Sequence, residues 1–136
     1  MMKISLHHKA IVFMAVILIS LYAVSCRKSI YTTNIERTWV VSNYYKNGVD
    51  STAIFNERFK NYSIVFNNNN GFIELYSANG KTPMVVKGMW QLIDNSKTLQ
   101  LTDSVRIRSY TIERLKIKSM ILLVRSLNQS FIYSPQ

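Results

Sequence analysis

The chain is short of acidic residues, cysteine and histidine, and each shortage restricts its chemistry. Its 136 residues include seven Asp and Glu, two His and one Cys. A single cysteine excludes a disulfide within the chain. The two histidines, His7 and His8, lie in the first segment. A mature chain without that segment would have no imidazole for acid–base catalysis or for binding a metal.

The carboxylates are too scattered to indicate an active site. They occur singly, without DxD or ExxE spacing, and we interpret them as solvated surface charges. The chain also contains neither a GxxxxGK[ST] nor a GxGxxG loop. A carboxylate pair or a Ser–Lys arrangement is the catalytic chemistry that remains, and we expect no enzyme, no cofactor and no metal. The seven acids are Glu36, Asp50, Glu57, Glu74, Asp94, Asp103 and Glu113.

The first 25 residues have the order of a secretory signal. Lys3 and Lys9 make the start positive, and from Ala10 to Tyr22 every residue except Ser20 is apolar or aromatic. The apolar region of a signal peptide spans ~7–15 residues, whereas a membrane-spanning helix needs about 20. We therefore predict a cleaved signal peptide over residues 1–25, with an uncleaved N-terminal anchor as the alternative.

The only cysteine follows directly on this apolar run. Ala23-Val24-Ser25 leads into Cys26, and this order resembles the lipobox of bacterial lipoproteins. The resemblance implies that the Cys26 sulfur is the site of lipid attachment and that a signal peptidase cuts before it. Two or more acyl chains give stable membrane anchoring, because each buried CH₂ contributes about 0.8 kcal/mol.

The expected location follows from the residues after the cysteine. Arg27 follows Cys26 in place of the aspartate that is associated with inner-membrane retention in some lipoproteins. The resemblance therefore implies the outer membrane of the cell envelope, on its periplasmic face. Residues 26–34 are polar and without periodicity, so we predict a flexible tether there. Loss of residues 1–25 would leave 15 basic and seven acidic residues, a net charge of +8. The remaining length fits one domain, which we place at residues 35–136.

After Ile35 the sequence alternates apolar and polar residues between turns rich in Asn and Gly, such as Asn47-Gly48. A short helix is predicted within residues 50–61, capped by Asp50 or Ser51. The regular spacing predicts an all-β fold, an eight-stranded antiparallel up-and-down barrel with that helix after the first strand. The predicted strands cover residues 38–45, 62–66, 72–78, 84–93, 98–102, 105–115, 120–126 and 130–133.

The order of several features within residues 35–133 carries a family resemblance. These features are Trp39 in the first strand, an Asn-Gly turn, a short helix, a hairpin, Gly88-Met89-Trp90, a Thr-Leu-x-Leu-Thr strand, and Tyr110 with Ile112. This order resembles the small lipocalin-like lipoproteins of Gram-negative bacteria. The resemblance implies a lipocalin-like barrel that is closed at one end by a short helix.

One set of large apolar side chains should face the barrel interior, because side chains alternate between the faces of a strand. An eight-stranded barrel is either packed with its own side chains or holds one small ligand. These residues are therefore core residues or the lining of a ligand cavity. They are Trp39, Val41, Ile64, Phe66, Trp90, Leu92, Leu99 and Leu101.

Basic residues recur at even positions near the end of the chain. We interpret them as an outward, solvated face of the barrel. The alternative is attachment to an acidic envelope surface, where each basic residue contributes about 1 kcal/mol. Export makes nucleic acid an unsuitable partner. The residues are Arg106, Arg108, Arg114, Lys116 and Lys118.

The combined prediction is a non-catalytic lipoprotein that binds a small apolar ligand or an envelope component. Its partners would be the membrane, through N-terminal acyl chains, and a small hydrophobic ligand or an envelope protein. One alternative is an interaction subunit of an envelope complex with a filled barrel. A third is an inhibitor of an envelope-directed hydrolase such as lysozyme, although a basic inhibitor would meet repulsion from a basic enzyme.

Overall fold

The alternating pattern of the sequence forms antiparallel strands along most of the described chain. A computed structural model describes Met14 and residues 31–136. Of the predicted signal peptide, all but Met14 lies outside the described residues, and so does the lipid attachment predicted at Cys26. The fold below is that of one compact unit, Tyr31–Gln136.

The described chain contains nine strands, one short α-helix and one 3₁₀ helix, besides helical residues 31–35. The α-helix is α1 (Thr52–Arg58), and the 3₁₀ helix is Arg125–Leu127. The strands are β1 (Thr38–Lys46), β2 (Val49–Asp50), β3 (Phe59–Phe66), β4 (Gly71–Ala78), β5 (Pro83–Ile93), β6 (Thr98–Asp103), β7 (Ile107–Lys116), β8 (Ser119–Val124) and β9 (Gln129–Pro135).

Eight of these strands close into a barrel. From β3 to β9 each strand pairs antiparallel with the next, and β1 pairs with both β3 and β9. The two-residue strand β2 only extends the hairpin that begins at the end of β1. Closure leaves no free edge among the eight long strands described. The predicted eight-stranded antiparallel barrel, with a short helix after its first strand, is confirmed.

Two Asn-Gly pairs make turns of the kind the sequence predicts. Asn47 and Gly48 have φ of 53° and 77°, and Asn79 and Gly80 have φ of 50° and 69°. Positive φ at both central residues is the signature of the type I′ hairpin turn, whose twist matches that of the flanking strands. Asparagine and glycine tolerate this conformation better than other residues.

One end of the barrel is filled with packed side chains. Trp39 and Ile35 are fully buried there, and the Trp39 indole Nε1 donates a hydrogen bond of 2.9 Å to the Ile35 carbonyl oxygen. The aromatic rings of Phe66 and Trp90 meet edge to face with centroids 5.9 Å apart. The other core residues are Ile64, Phe72, Leu99, Leu101, Leu115, Met120, Leu122 and Tyr133.

The segment before β1 belongs to this compact unit. Residues 31–35 are helical, and Tyr31 packs against the core. The unit therefore begins four residues before the predicted domain start at Ile35, and the last four residues of the predicted tether are helical. Residues 26–30 of that tether lie outside the described residues. Nowhere in the described chain is a helix both long enough and apolar enough to cross a membrane.

A bulge in β7 decides which of the predicted basic residues face solvent. Pairing between β7 and β8 shifts between Ile112 and Arg114. Before this bulge the even positions face the interior, and after it Leu115 is buried. Four of the five predicted basic residues are exposed, which fits an outer face of the barrel. They are Arg106, Arg114, Lys116 and Lys118. Arg108 departs from the prediction, because its side chain is 15% exposed and forms an ion pair with a buried carboxylate.

Candidate functional site

A cavity of about 830 Å³ occupies the end of the barrel opposite the packed core. Because neighbouring strands run in opposite directions, the ends of β1, β4 and β8 lie beside the beginnings of β3, β7 and β9. Residues from each of these ends, together with α1, line the cavity. Its volume falls in the range of about 300–1,000 Å³ typical of pockets for small molecules.

Aromatic rings from eight residues form a large part of the cavity wall. Phe55 of α1 is buried at the centre of this group, with ring centroids 5.3 Å from Tyr44, 5.1 Å from Phe59, 5.5 Å from Tyr62 and 6.0 Å from Phe131. Tilted and edge-to-face contacts of this kind favour a fixed arrangement of rings. The wall therefore offers a preformed apolar surface to a ligand.

Helix α1 is held at this end by a local hydrogen-bond network around Thr52. The Asp50 carboxylate oxygen Oδ1 accepts bonds from the Thr52 backbone N–H, at 2.9 Å, and from the Thr52 hydroxyl, at 2.5 Å. These bonds lower the pKa of Asp50. The Tyr44 N–H donates to the Thr52 hydroxyl oxygen at 2.9 Å and so ties the helix to β1. Ser51 is the N-cap residue without a side-chain capping bond.

The helix presents two kinds of apolar residue to the cavity. Phe55 points into the barrel, whereas Ile54 is 67% exposed at the cavity rim. Phe59, which follows the helix, is the first residue of β3 and lines the cavity from there. The apolar residues of the helix are thus divided between the interior and the rim.

The floor of the cavity is polar and electrically paired. Glu74 of β4 is 3% exposed. Its carboxylate accepts hydrogen bonds from the two Nη groups of Arg108, at 2.9 and 2.6 Å, and from the Tyr62 hydroxyl at 2.7 Å. The Arg108 guanidinium also lies 3.5 Å from an oxygen of Asp103. A bidentate arginine–carboxylate pair is a strong and geometrically specific interaction.

The buried environment of this floor shifts the titration of several groups. Burial, with the nearby Tyr133 and the Glu74 charge, raises the pKa of Tyr62 well above its ordinary value. Burial likewise raises the pKa of Tyr110 and of Tyr133. Burial alone would lower the pKa of Arg108, but the hydrogen bonds to Glu74 and the surrounding electrostatics outweigh it and raise this pKa. The floor thus keeps neutral tyrosines around one ion pair at neutral pH.

The alternation of the strands explains why a glutamate lies inside. Phe72, Glu74 and Tyr76 share one face of β4, and Leu75 between them is partly exposed on the outer face. The interpretation of Glu74 as a solvated surface charge is therefore wrong. The period-two pattern with Phe72 and Tyr76 was the signal that could have identified it.

Three exposed cations surround the opening of the cavity: Lys46 at the end of β1, Arg58 at the end of α1 and Arg106 before β7. Arg106 has a long contact with Asp103, 3.9 Å. Within residues 31–136, Lys46 and Arg58 form no salt bridge. The Arg58 guanidinium lies over the Phe59 ring, 5.5 Å from its centroid. The rim is therefore basic, whereas the floor is neutralised.

The eight apolar residues predicted to be core or lining all lie away from the cavity wall. Six are buried core residues, and Val41 and Leu92 are partly buried and packed against that core. The predicted choice between a filled barrel and a hollow one does not describe the whole molecule, since one end is packed and the other is open. The cavity is lined instead by residues of α1, by aromatic residues of β1, β3, β4, β7 and β9, and by polar and apolar residues at its floor and rim.

The described residues hold no group of three or more His, Cys, Asp and Glu side chains placed to bind a metal. The arrangement that is present consists of an aromatic wall, a paired polar floor and a basic rim. Such a cavity can enclose an apolar molecule and orient it by a few polar contacts.

Comparisons with known proteins agree with this architecture. A crystal structure of a lipocalin-like protein from Bacteroides uniformis ATCC 8492 superposes with a TM-score of 0.61 at 12% identity, over 76% of this chain and 99% of that one. An uncharacterized protein from Bacteroides eggerthii DSM 20697 gives 0.55 at 12% identity, over 75% and 99%. No curated protein matches the chain. The model of the lipocalin-like domain family matches residues 35–122, and the chain therefore belongs to that family.

Proposed function

We propose that this protein binds a small apolar molecule in the cavity beside α1 and acts without catalysis. The observation that carries the proposal is the division of the barrel into a packed end and an open, aromatic end. A barrel that served only as a rigid scaffold would gain stability from filling both ends with side chains. The lipocalin-like fold also supports a ligand-binding role.

The cavity has the features that binding of an apolar molecule requires. Its wall contains rings from Phe55, Phe59 and Phe131, so the apolar surface of a ligand would be removed from water when the ligand enters. Its rim carries exposed apolar side chains, Ile54 and Ile107, which are 67% and 65% exposed. A ligand seated in the cavity would cover part of both, which adds to the apolar area removed from water.

N-phenyl-1-naphthylamine, a neutral probe that fluoresces in apolar surroundings, tests this function by titration. We expect saturable binding to the wild-type protein. Ile54→Lys, at the rim, should weaken binding about fivefold to tenfold by removing apolar contact. Ile117→Lys is the matched control, because Ile117 is 61% exposed but does not line the cavity. Absence of saturable binding, or equal weakening by both variants, would contradict the proposed site.

We further propose that the protein is anchored to the outer membrane through Cys26, facing the periplasm. The support is the order of the sequence: a basic start, an apolar run and Ala23-Val24-Ser25 before the cysteine. Anchoring would keep the binding domain close to membrane-derived or envelope molecules. Cys26→Ser tests this directly: the expected variant lacks the acyl mass and leaves the membrane fraction, whereas a variant that stays membrane-bound with its full mass refutes the lipid anchor.

A further inference from the structure

We propose that the ligand of this cavity is an acidic amphiphile, bound with its apolar body among the aromatic rings and its anionic group at the rim beside Arg58 and Arg106. The inference rests on the proposed function, since it specifies the chemistry of a molecule in the same cavity. The acid would be a carboxylate, sulfonate or phosphate on a single compact or single-chain body.

The floor of the cavity has no unpaired positive charge that could bind an anionic group. Both Nη groups of Arg108 are engaged by the Glu74 carboxylate, and the Tyr62 hydroxyl donates to the same carboxylate. Arg108 Nη2 also lies 3.5 Å from an oxygen of Asp103, and Arg108 Nε is buried without a hydrogen-bond partner in the described chain. A ligand that entered with its anionic group leading would bring that charge close to the Glu74 carboxylate in a region of low dielectric, which is unfavourable. The acidic group is therefore excluded from the floor.

The rim has the opposite character. The cavity lining includes four cations, Lys46, Arg58, Arg106 and Arg108, and one carboxylate, Glu74. Asp103 lies beside Arg106 and Arg108, outside the lining, so the local balance stays positive when it is counted. Arg58 is exposed and forms no salt bridge in the described chain. Its guanidinium lies 5.5 Å from the ring centroid of Phe59, a residue of the cavity wall.

Together, the paired floor and the basic rim favour one orientation of the ligand. The apolar body lies against Phe55, Phe59 and Phe131, where the wall is aromatic. The anionic group remains at the surface, where arginine guanidinium groups can bind it by charge-assisted hydrogen bonds. Because that contact is exposed to solvent, it should contribute a moderate, salt-dependent part of the affinity.

A matched pair of probes isolates the acidic group. 8-Anilinonaphthalene-1-sulfonate has the same ring system as N-phenyl-1-naphthylamine and adds one sulfonate. Titrations of both probes are compared in the wild-type protein and in the double variant Arg58→Gln with Arg106→Gln. The control double variant is Arg114→Gln with Lys116→Gln, which removes the same charge from exposed residues outside the cavity. Thermal unfolding of each variant verifies the fold, and Lys46→Gln serves as a second rim variant if the first is unstable.

The expected result is that the sulfonate binds about tenfold more tightly than the neutral probe at low salt, since two exposed ion pairs give a few-fold each. The rim variant should lose most of this advantage while the control keeps it, and added salt should reduce it in the wild-type protein. Equal affinity of the two probes, or equal loss in both double variants, overturns the inference and leaves the proposed function intact. Failure of both probes to bind overturns the proposed function itself.

A competition experiment separates a free acid from a membrane lipid as the source of the anionic group. Dodecanoate, a single-chain acid, should displace the bound sulfonate probe, and dodecanol should do so less well. Displacement by vesicles of phosphatidylglycerol, without displacement by dodecanoate, would show that the rim arginines bind a membrane surface and would overturn the proposal.

Discussion

Arg108 of β7 and Glu74 of β4 are joined by two hydrogen bonds, of 2.9 and 2.6 Å, inside the barrel. The two strands are not neighbours in the sheet, since β5 and β6 lie between them. The pair therefore crosses the interior and links two sides of the barrel below the cavity. Its side chains are 15% and 4% exposed, so solvent weakens the attraction little.

Glu74→Gln should destabilise the fold by about 3–5 kcal/mol, because it removes the bidentate partner of the buried Arg108 charge and leaves only Asp103, 3.5 Å away, as a carboxylate beside it. The measurement is the free energy of unfolding in urea, followed by circular dichroism. Glu113→Gln is the matched control, since Glu113 is exposed on β7, and it should change stability by less than about 0.5 kcal/mol. Equal effects of the two substitutions would contradict a structural role for the pair.

Replacing both members of the pair tests whether the charge, and not the packing, is responsible. Glu74→Leu with Arg108→Met removes the buried charges together and should recover most of the stability lost in Glu74→Gln. If the double variant is less stable than Glu74→Gln, the pair and the Tyr62 hydroxyl contribute net stability through their hydrogen bonds.

Trp90→Ala should lower the free energy of unfolding by about 3–5 kcal/mol, because it removes a buried ring and leaves a cavity. Trp90 is 3% exposed, packs edge to face on Phe66 and donates from Nε1 to the Asn67 carbonyl oxygen at 3.2 Å. It does not line the ligand cavity, so the folded fraction should bind the neutral probe normally. A variant of wild-type stability that loses probe binding would place the ligand at the packed end.

Gly88→Ala should destabilise the barrel by about 1–3 kcal/mol or more, as expected for overpacking. A Cβ at this position would lie 2.2 Å from the Thr102 carbonyl oxygen and 2.6 Å from the Phe72 ring. Met89→Ala on the same strand is the control, because Met89 is 55% exposed. Thermal unfolding of both variants checks the prediction, which fails if Gly88→Ala melts at the wild-type temperature.

The buried Tyr133 and the partly buried Tyr62 and Tyr110 predict a loss of stability in alkali. Burial raises the pKa of Tyr62, Tyr110 and Tyr133, so the folded protein holds these protons more tightly than the unfolded chain does. Their contribution is complete below the ordinary tyrosine pKa of about 10 and declines as the pH rises above it. Urea midpoints at about pH 8 and about pH 11 measure the loss, which should be smaller in Tyr133→Phe than in the wild type. An identical loss in the variant would assign the effect to other groups.

Much of the barrel could be predicted from the sequence, because alternation and Asn-Gly turns are local signals. The faces of β7 could not. Hydrophobicity alone places Ile107 inside and Arg108 outside, whereas Ile107 is 65% exposed and Arg108 is internal. The ion pair between Arg108 and Glu74 stabilises this arrangement, and the two residues lie 34 positions apart in the sequence. The alternation in β4 indicates that Glu74 lies inside, but nothing within β7 indicates that Arg108 is its partner.

The place of the cavity in the barrel could not be predicted from the sequence, whereas the helix that lines it could. Helix α1 ends at Arg58, earlier than residue 61, because Phe59 already pairs with Ala78 in the sheet. Whether a barrel end is filled depends on which side chains meet there, and that depends on the register of all eight strands. The predicted interior residues happened to lie at the packed end.

The most direct test of the proposed ligand site is a map of binding by nuclear magnetic resonance. Backbone amide signals of residues 31–136 are followed as N-phenyl-1-naphthylamine is added. We expect the largest shifts in α1, at the end of β1 and at the beginnings of β3, β7 and β9, with small shifts around Trp39 and Trp90 at the packed end. Shifts centred on the packed end, or no saturable shifts at all, would contradict the assignment of the cavity as a ligand site.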